Sequence, residues 1–382
     1  MSRARPLKVV VESASNVADP QEAVASAQAL QTARERRGQL TVLFCAALAA
    51  LGVVLSIMLG PLDIGPFDVI RIGLGTLGFD TTSGLSRVQI GVVENIRGPR
   101  ALLGALAGAA LGGAGAAMQG FFRNPLADPA LIGVSAGGAL AAVAVIVLGG
   151  AALAGLTAAL GSFALPIAAF LGALITVFAI YTLSMMDGRV VVATMLLAGV
   201  AANALAFSGI GYLTFLADDA QLRDLTFWTL GSMGGATWER VLPAALGMAI
   251  ALTMILSLAR PLNSLLLGED DANALGVDVE RTKRLAAVGT ALGVGAATAV
   301  CGIINFIGLV VPHLVRLVTG PDHRYVLPGS CFLGAALVLV ADIVARIAVS
   351  PAELPLGVVT AAIGAPFFFW LLVRDKKRST LG

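Results

Sequence analysis

Long apolar runs recur along this chain, and they limit its possible folds more than any other feature. From residue 40 onward, most runs are about 20 residues long, the length that crosses the hydrocarbon core of a bilayer as a helix. Hydrophobic residues make up 58% of the 382 residues, and the mean hydropathy is +0.91. The runs are continuous rather than alternating, so helices fit them better than the strands of a membrane barrel. The sequence therefore predicts an all-α polytopic membrane protein, with a very apolar soluble α/β protein as the alternative.

Hydropathy windows of about 20 residues divide the chain into ten predicted transmembrane helices. Their ranges are 40–60, 101–121, 131–150, 162–184, 192–216, 241–260, 285–303, 304–318, 328–348 and 356–373. The window 285–318 is nearly continuous, and we divide it at residues 302–305. The predicted organisation is a cytoplasmic N-terminal tail at 1–39, disordered or partly helical, a transmembrane domain at 40–374 and a cytoplasmic C-terminal tail at 375–382.

Basic residues orient the chain, because loops on the cytoplasmic side of a membrane carry an excess of lysine and arginine. If both termini are cytoplasmic, most of the 25 lysines and arginines fall on that side. The exceptions, on the predicted outer side, are Arg71, Arg87, Arg97, Arg100, Arg223, Arg240 and Arg346. Two outer stretches, 61–100 and 217–240, are long enough to form short helices at the membrane interface.

The densest internal cluster of charge lies at residues 268–284, between two long apolar runs. Eight of its residues are charged, in a chain with only 13% charged residues. Charge at this density is too costly in hydrocarbon, so the segment must be a solvent-facing loop. Its pattern predicts a short helix that ends at Gly276, followed by a basic turn. A folded, charged helix in an internal loop indicates a docking site for another protein.

Two further features concern a path through the membrane. Gly104, Gly108 and Gly112 recur every four residues, a spacing that favours close helix packing or, alternatively, lines a wide path. Gln119 ends this run, and its amide could face water. Residues 123–129 contain two prolines four residues apart, which forbid a continuous helix. This rigid turn is either a simple connector or a gate.

Several functions are not supported by the sequence. No Gly-Lys dipeptide occurs, so the GxxxxGK[ST] loop is absent and the chain has no ATPase motif of its own. The three scattered cysteines indicate neither disulfides nor a metal site, and the net charge of +2 does not indicate nucleic acid binding. Asp342 and Arg346 form a local ion pair or, alternatively, an ion-coupling site. His313 and His323 are expected to be structural, and no catalytic residue or resident cofactor is predicted.

These segments together resemble the permease subunits of bacterial ABC importers for cobalamin, ferric siderophores and haem. The resemblance covers nearly all of residues 40–374 and rests on 97–100, 119–137, 197–200, 268–277, 306–313, 341–346 and 353–358. It implies ten helices per subunit and a second copy of the chain around a central path. It also implies a cytoplasmic ATPase dimer, a periplasmic substrate-binding protein and a location in the bacterial inner membrane, in contact with lipid.

The resemblance assigns three functional regions. Arginines at the outer face would receive acidic residues of the binding protein, namely Arg97, Arg100 and Arg346. The gate and translocation path would use Gln119, Asn124, Leu126, Val192 and Ala193. A coupling helix would sit in a cleft of the ATPase and use Gly268, Glu269, Asp270, Asp271, Ala272, Ala274, Leu275 and Gly276.

The cargo prediction depends on a departure from the family pattern. Val192 and Ala193 occupy positions where the cobalamin permease has hydroxyl residues, and a more apolar gate would suit a flat hydrophobic cargo such as haem. Segments 228–238 and 268–272 also look most like haem permeases. The resemblance implies an ATP-driven haem importer working by alternating access, with ATP used by the partner subunit. Alternatives are a ferric siderophore or cobalamin as cargo, an ion-coupled secondary carrier, and a non-transporting receptor or scaffold.

Overall fold

A computed structural model describes residues 20–62, 64–76, 78–79 and 81–379, and almost all secondary structure in these ranges is helical. The first eight helices are α1 (Pro20–Met58), α2 (Pro66–Thr76), α3 (Arg87–Val92), α4 (Gly98–Phe121), α5 (Val134–Leu148), α6 (Ala154–Leu160), α7 (Ala164–Leu183) and α8 (Val192–Leu216). The next eight are α9 (Asp219–Leu230), α10 (Trp238–Ser257), α11 (Ala259–Leu265), α12 (Glu269–Ala274), α13 (Val279–Cys301), α14 (Ile307–Thr319), α15 (His323–Ile347) and α16 (Leu356–Ser379).

Short irregular elements join these helices. A π-helical turn (Val93–Arg97) leads into α4, and 3-10 turns (Pro129–Ile132 and Gly161–Phe163) precede α5 and α7. Strands β1 (Met185–Met186) and β2 (Arg189–Val190) pair in an antiparallel hairpin between α7 and α8.

The predicted all-α membrane fold is confirmed. Within the described ranges, seven helices are long and apolar enough to cross a membrane. Three shorter apolar helices, Val134–Leu148, Ile307–Thr319 and Leu356–Trp370, lie at the remaining predicted spans. The break predicted at 302–305 is also present, because α13 ends at Cys301 and α14 begins at Ile307. The total of ten spans and the cytoplasmic location of the termini stay predictions.

The N-terminal tail, predicted to be disordered or partly helical, is helical over residues 20–39 in the structure. Helix α1 begins at Pro20 and continues without a break into the first span. Alanine, glutamine, glutamate and arginine dominate this segment and have high helix propensity. A helix already nucleated in the membrane also extends at little further cost. Residues 1–19 lie outside the described ranges, and α16 continues into the predicted C-terminal tail as far as Ser379.

The interior of the bundle is formed by α4, α13 and α15, most of whose residues are buried. Helix α4 packs against α10, α13, α14 and α15. Helices α1, α7 and α8 instead expose large apolar side chains, such as Leu43, Phe178 and Phe215. Such surfaces are stable only against lipid or another apolar surface, which agrees with a membrane location.

Glycines allow the closest approach between α4 and α15. A β-carbon at Gly108 would clash with the carbonyl oxygen of Gly334, and one at Gly112 would clash with that of Ser330. A side chain at either position would push the two backbones apart. At these positions the structure therefore supports the interpretation of close packing over that of a wide path.

We expect Gly112→Ala to lower the free energy of unfolding by about 1–3 kcal/mol, because overpacking would shift α4 away from α15. Gly211→Ala in α8 is the matched control, since a β-carbon there meets no atom within 4 Å. The measurement is denaturant unfolding of the purified protein in detergent. Equal stability of the two variants would contradict the packing role of Gly112.

Candidate functional site

The three predicted docking arginines lie together where α4 begins and α15 ends. Asp342 joins two of them, with Arg100 at 2.8 Å and Arg346 at 3.1 Å. Arg100 also donates two hydrogen bonds of 2.9 Å to the carboxylate of Glu353, in the loop before α16. The ion pair predicted between Asp342 and Arg346 is present, but it belongs to a larger cluster that spans three parts of the chain.

Arg97 and Arg346 hold the end of α1 in the same cluster. Arg97 donates to the carbonyl oxygens of Ile57 (2.8 Å) and Met58 (2.7 Å). Arg346 donates to those of Ser56 and Leu59, each at 3.1 Å. The last carbonyls of a helix lack partners within the helix and carry partial negative charge, so cations stabilise them. Two of the three arginines therefore cap α1 from the side.

Burial distinguishes the three arginines from Glu353, the exposed carboxylate of the cluster. Arg97 is 3% exposed and Arg100 and Arg346 are each 7% exposed. The side chain of Glu353, by contrast, is 41% exposed. The guanidinium groups are thus bound within the subunit, and the carboxylate of Glu353 is the group that meets solvent. Sequence reasoning did not assign Glu353 a role, although it begins one of the stretches that carry the family resemblance.

At the other end of α4, Gln119 fastens α4 to α14 and does not face water. Its side-chain amide donates to the carbonyl oxygen of Leu309 (3.3 Å), and Arg316 donates to its side-chain oxygen (2.6 Å). The residue is 2% exposed. The suggestion that this amide could face solvent is therefore wrong, because the amide and the guanidinium satisfy each other inside the bundle.

The proline-containing turn after α4 is held by its own side chains. The side-chain oxygen of Asn124 accepts a hydrogen bond from the backbone nitrogen of Leu126 (2.9 Å), and Asp128 accepts one from that of Ala130 (2.8 Å). Burial raises the pKa of the Asp128 carboxyl, and the hydrogen bond from Ala130 opposes this rise. Leu126 is left 44% exposed at the tip of the turn. These hydrogen bonds hold the turn in a conformation that exposes the apolar side chain of Leu126.

The second part of the predicted gate lies in the first turn of α8. Val192 is half-buried and Ala193 is exposed. The turn Pro129–Ile132 packs on the same helix, and the Asn203 side chain donates to the carbonyl oxygen of Ala130 (3.1 Å). The hydrogen bond between the two regions therefore runs through Asn203, which sequence reasoning missed, rather than through Val192 or Ala193.

The charged loop forms the predicted short helix, α12. Positive φ angles at Gly268 (124°) and Gly276 (82°) set its two ends, a conformation that glycine adopts without strain. Ala272, on the inward face of α12, is fully buried. The outward face carries Asp270, Asp271, Asn273, Ala274 and Leu275, all exposed.

Lys283 fixes α12 to its surroundings. This side chain is 1% exposed and pairs with Glu269 at 2.8 Å and Glu280 at 3.2 Å. It also donates to the carbonyl oxygen of Val190, whose backbone nitrogen donates to Glu280. One buried ammonium thus joins α12, α13 and the β1–β2 hairpin. Sequence reasoning missed this role, although Lys283 is the only lysine between residues 9 and 375.

Within the described ranges, no group of three or more histidine, cysteine, aspartate or glutamate side chains could hold a metal ion. The three regions instead offer a clustered charge network, an apolar turn and an acidic helix with one free face. The exposed face of α12 and the exposed carboxylate of Glu353 are the charged surfaces that these regions offer to another protein.

Comparisons with known proteins identify the family of this chain. Residues 48–374 match the FecCD transport family. The chain is 46% identical over 286 residues to the hemin transport system permease protein HmuU of Yersinia pestis, covering 74% of this chain and 84% of that protein. It is 43% identical over 286 residues to the cobalamin import system permease protein BtuC of Halobacterium salinarum, covering 75% and 74%.

A solved structure shows the same fold. A metal-chelate type ABC transporter in an inward-facing conformation aligns with a TM-score of 0.74 and 28% sequence identity, covering 87% of this chain and 98% of that one. Family, fold and the apolar helices together place the protein in the bacterial inner membrane. The chain belongs to the FecCD transport family and is a multi-pass permease of an ABC importer.

Proposed function

We propose that this permease moves haem from a periplasmic binding protein to the cytoplasm, as a homodimer driven by a cytoplasmic ATPase dimer. The observation that carries the cargo assignment is the similarity to the hemin permease HmuU. The apolar side chains of Leu126 and Val192 agree with a flat hydrophobic cargo. Cobalamin is the second candidate, because the similarity to a cobalamin permease is nearly as high. A ferric siderophore is the third.

Uptake into proteoliposomes tests this proposal. Vesicles would hold the permease with its cognate ATPase and binding protein, and haem, cobalamin and a ferric siderophore would be compared with and without ATP. ATP-dependent haem accumulation that requires all three components would support the proposal. Uptake of only another cargo would overturn the haem assignment, and uptake driven by an ion gradient without the ATPase would overturn the importer mechanism.

An ion-coupled carrier is the less favoured mechanism. Such carriers need acids near the middle of the membrane that can bind and release ions. Asp342 is 1% exposed and bound by two arginines, Arg100 and Arg346, so its charge is already neutralised. A carboxylate in this setting acts as a structural partner rather than as an ion carrier.

Docking of the binding protein would take place at the arginine cluster. The carboxylate of Glu353 accepts two hydrogen bonds from the guanidinium of Arg100. A carboxylate of the binding protein would be expected to accept the same pair of hydrogen bonds. Because Glu353 is the exposed member of the cluster, an incoming carboxylate would replace it rather than bind a free arginine. Docking is therefore an exchange between an internal and an external carboxylate.

We expect Glu353→Ala to tighten binding of the binding protein by about threefold to tenfold, because Arg100 no longer has to release an internal carboxylate first. The dependence of the affinity on salt should also become steeper. Binding would be measured by biolayer interferometry on permease in nanodiscs. Glu239→Ala removes another exposed carboxylate and serves as control. Weaker binding by Glu353→Ala would contradict the exchange.

A further inference from the structure

An apolar groove lies between α1 and the pair α14 and α15. Its volume is about 1030 Å³, comparable to the upper end of natural ligand pockets, about 300–1,000 Å³. Leu40 and Phe44 form one wall and are 57% and 64% exposed. Leu314 and Leu333 form the opposite wall. This surface can hold a hydrocarbon chain.

Arginines stand at one end of the groove. Arg36 and Arg37 line it, one helical turn before the apolar segment of α1 begins. With a rise of about 1.5 Å per residue, Phe44 lies roughly 10 Å farther along α1 than Arg37. The groove is therefore charged at the end where the chain enters the membrane and apolar at depth. A ligand that matches it must be amphipathic, with a negative group at one end.

A polar cavity of about 620 Å³ adjoins this end and shares Arg37 and Val318 with the groove. Arg34 and Arg324 also line this cavity. Arg324 is already paired, with Asp322 at 2.8 Å and with Glu35 at 3.6 Å. The cavity thus offers room for a headgroup beside the chain-binding groove.

The arginines of α1 are available to bind an anionic ligand. Among the described residues, no carboxylate lies within ion-pair distance of Arg34, Arg36 or Arg37, whereas Arg324 has two such partners. All three are exposed. Arg34 and Arg37 lie three residues apart on one face of α1, and like charges at this spacing repel each other unless an anion lies between them. Arginine forms two parallel hydrogen bonds with phosphate oxygens, which suits this arrangement.

Close packing of α1 at Gly38 sets the distance between α1 and α15, and thereby the shape of the groove. A β-carbon at Gly38 would lie 2.5 Å from the ring of Tyr325, so only glycine allows α1 to pack this closely on the start of α15. The pair Glu35 and Arg324 joins the same two helices. The helical extension formed by residues 20–39 is thereby held against the bundle, with Arg36 and Arg37 in the groove wall.

We propose that the groove between α1, α14 and α15 binds an anionic phospholipid, with an acyl chain on Leu40 and Phe44 and the phosphate at Arg36 and Arg37. The headgroup would extend toward Arg34 in the adjoining polar cavity. A membrane supplies this amphipathic molecule at the depth where the groove lies. Clusters of basic residues beside a membrane helix attract anionic lipids for the same electrostatic reason. The inference does not depend on the identity of the cargo.

Native mass spectrometry of the purified full chain tests this site. Phosphatidylglycerol and phosphatidylcholine with the same two oleoyl chains would be titrated into the detergent-solubilised protein. We expect phosphatidylglycerol to be retained at least tenfold more tightly, and Arg36→Gln with Arg37→Gln to remove this preference. Arg281→Gln with Arg284→Gln removes two exposed arginines elsewhere and should keep it. Equal preference in both double variants would overturn the proposal.

Two further experiments test whether the lipid lies in the groove and whether the bound anion is a lipid or free phosphate. Val318→Trp would fill the groove beside intact arginines, and we expect it to release phosphatidylglycerol. Retention of the lipid by this variant would show that the groove is not the site. Competition by inorganic phosphate at the same concentration as the lipid would assign the arginines to a free anion and overturn the lipid assignment. Assembly of the homodimer into a larger oligomer in place of lipid binding would assign the groove to a further copy of the chain and overturn the lipid assignment.

Discussion

Asp271→Arg combined with Ala274→Glu is expected to abolish ATP-driven uptake while the permease remains folded. Both side chains lie on the exposed face of α12, whereas Ala272 on the opposite face is fully buried. The changes reverse one charge and add a bulky charged group at the proposed contact with the ATPase. Loss of one interface hot spot is worth ~2 kcal/mol, which corresponds to roughly 30-fold weaker binding.

The measurements are affinity for the ATPase and uptake into proteoliposomes, with the unfolding transition of the permease alone as the check on folding. Asp219→Arg with Ala220→Glu makes the same two changes on α9, where both residues are also exposed. We expect this control pair to leave ATPase binding unchanged. Normal uptake by the α12 variant would remove α12 from the coupling mechanism.

Asp342→Ala is expected to lower the free energy of unfolding by about 3–5 kcal/mol. Asp342 is 1% exposed and is the carboxylate that Arg100 and Arg346 share. Without Asp342, Arg100 keeps its ion pair with Glu353, and Arg346 is left without a carboxylate partner among the described residues. Breaking a buried ion pair in this way costs about 3–5 kcal/mol, because an uncompensated charge stays inside the protein.

Denaturant unfolding in detergent measures this loss. Asp68→Ala is the control, because Asp68 pairs with Arg71 at 3.6 Å and both side chains are partly exposed to solvent. Surface pairs contribute about 0–1 kcal/mol, so this variant should unfold almost as the parent does. A loss in Asp342→Ala no larger than in the control would mean that the cluster does not hold α1, α4 and α15 together.

The arginine cluster shows where prediction from sequence reached its limit. The family resemblance picked out Arg97, Arg100 and Arg346, and the structure brings these three residues together. Sequence reasoning assigned them to an outside partner, whereas the structure gives each of them partners within the subunit. Exposure depends on how α1, α4 and α15 pack, and nothing in the local sequence states that packing. Their role in docking stays a prediction.

Local physics explains what the sequence by itself determined. The length of the apolar runs predicted helices in a membrane, and charge density placed residues 268–284 outside it, because transfer into hydrocarbon penalises each charge wherever the chain goes. Glycine predicted the C-terminal end of α12 and proline predicted the turn after α4, because these residues permit or restrict backbone angles locally. For residues 20–39 the sequence left a disordered and a partly helical tail as alternatives, because their polarity indicates disorder and their helix propensity indicates a helix.

Only the tertiary structure decided which distant residues meet. Asp342 lies 242 residues from Arg100, and Lys283 lies 93 residues from Val190. Gly108 and Gly334 meet because two helices cross at that point. Pairing at such separations depends on the packing of whole helices, so it has no signature in a short window of sequence. The sequence thus determined the membrane helices and the charged loop, and the packing determined which charges are buried, paired or free to bind.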